Sequence, residues 1–219
     1  MPLTLDDTED TRSAIIEACH WMCRKGLIEG TAGNISVRLK AGILVTPSGV
    51  PYDKLTPEAL QIIPHEGEPE SGGPNRPTSE WRFHQSVLAA RPDMVAVTHA
   101  HPPYATAIAI QRRSIPACHY MVAAFGGNDV PLVPYALFGS DTLARDTAAA
   151  MQSRTGCLLS NHGAVTAGET LDRALWRMGE LETLARVFLL AETSSAPVIL
   201  SEAEIAGALE AFKSYGPRD

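Results

Sequence analysis

The stretch Val95-Ala96-Val97-Thr98-His99-Ala100-His101 decides how the chain is read. It is an apolar run that closes on His-x-His. Side chains of a strand alternate with period two, so His99 and His101 project from one face. Two imidazoles side by side at the end of a buried strand invite a metal ion, although a lone His-x-His also occurs as ordinary strand sequence. Far downstream, Cys157-Leu158-Leu159-Ser160-Asn161-His162-Gly163 again places a histidine where an apolar run ends. Upstream, Thr78-Ser79-Glu80 opens a helical pattern with a carboxylate in its first turn. Thr78 or Ser79 at the N-cap is worth about 1 kcal/mol. Three histidines and one unligated acid are what a catalytic zinc site requires, with a position left open for substrate.

Two donor-rich turns accompany these residues. Glu29-Gly30-Thr31-Ala32-Gly33-Asn34-Ile35-Ser36 combines glycines with hydroxyl and amide donors, and its backbone N–H groups can converge on an anion. Thr46-Pro47-Ser48-Gly49 is a second such turn at the end of the next strand. Either alone is commonplace; at the ends of adjacent strands they can form one pocket. The start of the helix at Thr78 adds N–H groups and a partial positive charge, which suits a phosphate. Taken singly, Glu80 reads as a carboxylate favoured by the helix dipole, and the histidines give it another reading. His84, one turn on, faces the same way and reads either as a site residue or as packing.

The remaining pattern is that of an interleaved α/β domain spanning 1–219. A helix capped by Asp10 or Thr11 runs to Lys25, with Ile15, Cys19, Met22 and Cys23 on one face. Strands are expected at 36–39, 43–46, 59–63, 130–133 and 155–160. Helices are expected from Glu80 to Ala90, from Pro103 to Gln111 and over 140–152. The last third reads as mainly helical, with Leu171, Leu175, Met178, Leu181, Ala185 and Phe188 in one stripe and a capping box at Ser201 to Glu204. Residues 64–77 read as an exposed loop. His20 and His65 read as packed or solvated residues, and Tyr120 as an ordinary strand aromatic.

With 219 residues, 45% of them hydrophobic, the chain is long enough for one sizeable core. A formal charge of −7 without a basic run argues against nucleic acid or a membrane surface as partner, so an anionic substrate must be held by local donors. The four cysteines are sparse and lie in apolar stretches, as reduced core residues of a cytoplasmic protein do. No signal peptide and no stretch of transmembrane length is expected.

Taken together, Gly30 to Ser36, Thr46 to Gly49, Ser79-Glu80, His99-Ala100-His101 and Asn161-His162-Gly163 resemble the class II aldolase/adducin family. The resemblance covers nearly the whole chain, with the motifs in family order and spacing. It extends through Ser79 to His84, Ile115 to Met121 and Tyr215-Gly216. It implies a three-layer α/β/α fold with a central, mainly antiparallel sheet, assembled as a homotetramer with sites at subunit interfaces. It implies one zinc ion per subunit on His99, His101 and His162, with Glu80 as acid/base. Thr31, Asn34, Ser48, Gly49, Thr78 and Ser79 would hold the substrate phosphate. Tyr120 would reach a neighbouring subunit's site, and Phe138 and Tyr215 would flank the aldehyde end. Ala32 and Thr78 stand where many relatives carry serine; only the first loses a hydroxyl.

The implied reaction is reversible cleavage of a ketose 1-phosphate to dihydroxyacetone phosphate and an aldehyde. L-fuculose 1-phosphate and the 5-deoxypentulose or methylthioribulose 1-phosphates are the candidate substrates. Three alternatives stay open: a ribulose-phosphate 4-epimerase, a sugar-phosphate dehydratase or decarboxylase on the same metal, and a non-catalytic adducin-like module. Epimerases of the family carry aspartate where Glu80 stands, and adducin-like modules lose metal ligands that are present here.

Overall fold

The structure, a computed structural model, describes residues 2–70 and 75–212. Helix α1 (Glu9–Arg24) is capped by Thr8, whose hydroxyl accepts from the Thr11 N–H at 3.1 Å, so Asp10 and Thr11 lie inside the first turn. Strands β1 (Asn34–Arg38) and β2 (Ile43–Val45) form the expected hairpin, with Ser36 opposite Val45 and Arg38 opposite Ile43. Strand β3 (Gln61–Ile63) pairs beside β2; Ala59 belongs instead to a 3-10 turn, Pro57–Ala59.

Helix α2 (Trp81–Ala90) begins later than its sequence suggested, because Glu80 itself is the N-cap residue. Thr78 is held extended: its N–H donates to the Thr46 carbonyl at 2.9 Å, and Pro47 and Pro77 form an antiparallel bridge. The Thr78 hydroxyl then accepts from the Glu80 N–H at 3.3 Å.

Strand β4 (Ala96–Ala100) and helix α3 (Pro103–Ile110) follow as expected. Strands β5 (Ile115–Pro116) and β6 (Asp129–Val130) make a separate two-stranded sheet around a 3-10 segment, Tyr120–Phe125, where a strand was expected. The expected strand over 130–133 is divided at Pro131, which has no N–H to give to a ladder. Its second half is β7 (Leu132–Val133). Helix α4 (Asp141–Ala150) is capped by Ser140 and leads to β8 (Gly156–Leu159). Strand β9 (Gly163–Gly168), absent from the sequence reading, comes next. Helix α5 (Leu171–Glu192) and helix α6 (Glu202–Phe212), with Ser201 and Glu204 in the expected capping box, complete the described chain.

The main sheet has seven strands in the order β3-β2-β1-β4-β9-β8-β7, antiparallel everywhere except between β7 and β8. One apolar layer joins α1, α3 and α5 to Val37, Ala96, Ala100 and Leu158. The other joins Phe83, Val87 and Leu88 of α2 and Leu143 of α4 to Val45, Val97, Leu159 and Val165. Because β4 sends Ala96 and Ala100 to the first layer and Val97 to the second, the alternation turns His99 toward α2. Among the described residues, no helix is long and apolar enough to cross a membrane. All four cysteines are free thiols; Cys19 and Cys157 are buried, whereas Cys23 is exposed rather than part of the buried face of α1.

One polar contact fixes α2 on the sheet. Arg38 of β1 is buried and donates to the carbonyls of Leu88, Arg91 (3.0 Å) and Met94 (3.2 Å), which include orphan acceptors at the end of α2. Arg38→Met keeps the stem but strands these acceptors. The expected outcome is a loss of about 3 kcal/mol in urea unfolding of the metal-saturated protein. A loss below about 1 kcal/mol would contradict this role.

Candidate metal centre and cleft

His99 lies on β4 directly opposite Asn34 of β1, and His101 follows two residues later. His162 arrives from the turn between β8 and β9, where Asn161 adopts φ +54 and accepts from Arg112 Nε at 3.1 Å. Asparagine tolerates this left-handed conformation, which lets the chain reverse within the three residues between β8 and β9. Glycines make the close approaches possible. A Cβ on Gly163 would lie 2.4 Å from the Ala100 carbonyl and 2.7 Å from the His101 ring; one on Gly33, at φ +82, would lie 2.7 Å from the His99 carbonyl.

The ring nitrogens of His99, His101 and His162 offer one ligand atom each, all within 4.8 Å of one another. His99 Nδ1 is 2.9 Å from the Ala164 carbonyl, which can only accept. Nδ1 therefore carries the proton and Nε2 presents a lone pair. That lone pair lies 3.1 Å from His101 Nε2 and 3.2 Å from Glu80 Oε2. His162 Nε2 lies 3.2 Å from Glu80 Oε1. Burial pushes the His99 ring down to about 3, helped by His101, and the His162 ring down to about 4. Burial also lowers His101, against the opposing pull of Glu80. At neutral pH the rings are thus uncharged, and the short Glu80–histidine distances are not ion pairs.

His99 Nε2 turns its lone pair to the Glu80 carboxylate and to His101, and Glu80 Oε1 is buried with no hydrogen-bond donor. A cation resolves that arrangement. The 3.1 Å between His99 Nε2 and His101 Nε2 is close to the roughly 3.3 Å separation of ligand atoms around a tetrahedral zinc with bonds of about 2.0–2.1 Å. The residues present fit a divalent metal held by three neutral imidazoles, with the Glu80 carboxylate beside it.

The rings open into a cleft of roughly 360 Å³. Glu80, His101 and His162 line it together with Thr31, Ser48, Gly49, Thr78 and Ser79. No lysine or arginine lines it among the described residues. The Ser48 and Thr78 N–H groups are already bonded, to the Arg76 and Thr46 carbonyls, so these residues offer their hydroxyls. Tyr52 braces the glycine turn from below, donating to the Gly33 carbonyl at 2.6 Å, and burial pushes its phenol up. Phe138 lines the cleft and is exposed, joined by exposed Tyr135, which the sequence reading missed for want of any motif around it. Tyr120 is 54% exposed, does not line this cleft, and stacks at 6.4 Å on Phe212. Tyr215 lies outside the described residues.

Asn34, expected at a phosphate, is buried and has further partners: its Nδ2 donates to Glu80 Oε2 at 3.0 Å and its Oδ1 faces His84 Nε2 at 2.5 Å. His84 is fully buried and does not line the cleft; it touches the site through Asn34.

Residues 13–189 match the family described as Class II Aldolase and Adducin N-terminal domain. The chain is 48% identical over 206 residues to the L-fuculose phosphate aldolase of Escherichia coli K12, covering 93% of this chain and 94% of that one. It is 45% identical over 205 residues to the 5-methylthioribulose-1-phosphate/5-deoxyribulose-1-phosphate aldolase of Rhodospirillum rubrum, covering 94% and 92%. The solved structure of an L-fuculose 1-phosphate aldolase superposes with a TM-score of 0.89 at 33% identity, covering 94% of this chain and 97% of that one.

Replacing His99, His101 or His162 singly with alanine should weaken zinc binding on the order of 100-fold or more, measured by competition with a chromogenic chelator. A triple variant that keeps one ion per chain at wild-type affinity would place the metal elsewhere.

Proposed function

Since the chain belongs to the class II aldolase and adducin family, we propose that it is a metal-dependent aldolase that reversibly cleaves a ketose 1-phosphate to dihydroxyacetone phosphate and an aldehyde. The observation that carries this reading is one cleft that brings a cation-shaped histidine cluster and a carboxylate together with neutral hydroxyl donors. The aldolase names of the relatives, on L-fuculose phosphate and on methylthioribulose and deoxyribulose 1-phosphates, support it and set the substrate range.

His99, His101 and His162 would hold the zinc, whose Lewis acidity draws off the charge that carbon–carbon cleavage leaves on the ketone fragment. The cleft has no lysine among its described residues, and this reading requires no Schiff base. Glu80 carries the proton: in cleavage it delivers one to the carbon that lost its bond, and in condensation it removes one. Thr31, Asn34, Ser48, Gly49, Thr78 and Ser79 anchor the phosphate. Neutral donors suffice for a dianion at a helix start, and the distant phosphate then orients the reacting carbons.

The apolar rim at Phe138, with Tyr135 beside it, faces the aldehyde portion. Its exposed rings suit a methyl or methylthio terminus. Tyr120 lies away from its own cleft, in keeping with a tyrosine that serves a neighbouring subunit of a homotetramer, where it would donate to the aldehyde oxygen. Tyr215 is assigned to the same end.

The test is triose phosphate release from L-fuculose 1-phosphate, 5-deoxyribulose 1-phosphate, methylthioribulose 1-phosphate and ribulose 1-phosphate, with and without a chelator. Release that the chelator abolishes and zinc restores is the expected result. Glu80→Gln should keep its zinc and lose on the order of 100- to 10,000-fold in kcat. Epimerised pentulose phosphate, carbon dioxide or a dehydrated product without triose would overturn the aldolase assignment.

A further inference from the structure

Asn34, Ser36 and His84 form a buried chain that ends on Glu80. Asn34 and Ser36 are two residues apart on β1 and so share a face, and His84 of α2 lies across both. His84 Nδ1 is 2.7 Å from Ser36 Oγ, and His84 Nε2 is 2.5 Å from Asn34 Oδ1. All four residues are 5% exposed or less.

The direction of the chain follows from what each atom can do. Asn34 Nδ2 donates to Glu80 Oε2, so its Oδ1 is the atom turned to His84, and a carbonyl oxygen only accepts. His84 Nε2 must therefore donate. Burial, with His99 nearby, holds the His84 ring well below its ordinary range, so it is neutral and carries one proton. Nδ1 is then bare and accepts from the Ser36 hydroxyl. Every proton points toward the carboxylate: Ser36 to His84, His84 to Asn34, Asn34 to Glu80. A flipped Asn34 amide would set N–H₂ against the His84 N–H and leave two acceptors facing each other at Glu80.

We propose that His84 is a positioning residue: it locks the Asn34 amide so that Glu80 Oε2 is tied down and Glu80 Oε1, which has no donor, is the oxygen left to handle the substrate proton. This rests on Glu80 being the acid/base. The polar face of β1 is thus part of the reaction machinery, and the histidine acts without reaching the cleft.

Two measurements test it. Nitrogen-15 NMR of histidine-labelled wild-type protein needs no substrate: the His84 ring should show a protonated Nε2 and a bare Nδ1. The Nδ1–H tautomer would reverse the chain and overturn the proposal. In the kinetic arm, His84→Phe fills the ring volume without a donor, and His84→Gln restores one. His84→Phe should lower kcat on the order of 10- to 100-fold in protein that stays folded and zinc-loaded at the assay temperature, with KM changed less than about threefold and Tm lowered by the loss of two buried hydrogen bonds. His84→Gln should recover most of the loss. Unchanged kcat in His84→Phe, or a loss that tracks zinc or unfolding and is not rescued by glutamine, would contradict positioning. Wild-type protein silent on every ketose phosphate would sink the aldolase reading, while the tautomer still decides the chain.

Discussion

The structure depends on a buried polar seam between one strand and one helix. Strand β1 alternates Asn34, Ser36 and Arg38 with Ile35 and Val37. The apolar pair packs into the α1/α3/α5 layer, while the three polar side chains turn toward α2 and are all buried. Unpaired, such groups would each cost on the order of 1–3 kcal/mol, so the seam holds only in the one arrangement that satisfies them together. Arg38 takes the carbonyls at the end of α2, Ser36 takes His84 in its middle, and Asn34 takes Glu80 at its start. The helix is thereby fixed in rotation and along its length, and Glu80 is delivered over His99, the residue opposite Asn34 on β4.

From that seam the chemistry of the cleft follows. Burial keeps the rings of His99 and His162 neutral, so they stand as lone-pair donors. The Ala164 carbonyl chooses which nitrogen of His99 faces inward. The rest of the cleft's described lining carries hydroxyls and no lysine or arginine, which agrees with a chain of charge −7. In the proposed reading, metal and phosphate are held by different side chains of one cavity, and a substrate that reaches both is fixed at each.

Much of this was legible in the sequence, for identifiable reasons. Histidines closing apolar runs, a hydroxyl-bearing turn before one strand and after the next, and an acid at a helix start are local features, each set at the boundary of a strand or helix. The failures were of context. Gly163–Gly168, the strand that pairs with His99, is buried on both faces and so lacks alternation, and its small residues resemble a loop. Asn-x-Ser-x-Arg along β1 looks like a solvated face, and only the tertiary fold covers it. The division at Pro131 and the parallel pairing of β7 with β8 depend on partners distant in sequence. Glu80 moved from first turn to N-cap because the Pro47–Pro77 bridge draws Thr78 out of the helix. Asn34 was read for a phosphate, and its side chain also has two buried partners, Glu80 and His84, while the residue lines the cleft.

The central claim is that three neutral imidazoles converge on one cation beside Glu80. X-ray absorption at the zinc edge of the metal-loaded protein tests it most directly. The account predicts one zinc per chain, with nitrogen and oxygen neighbours at about 2.0–2.1 Å, imidazole scattering for three rings, and no sulfur. Sulfur at about 2.3 Å, or fewer than two imidazoles, would contradict it.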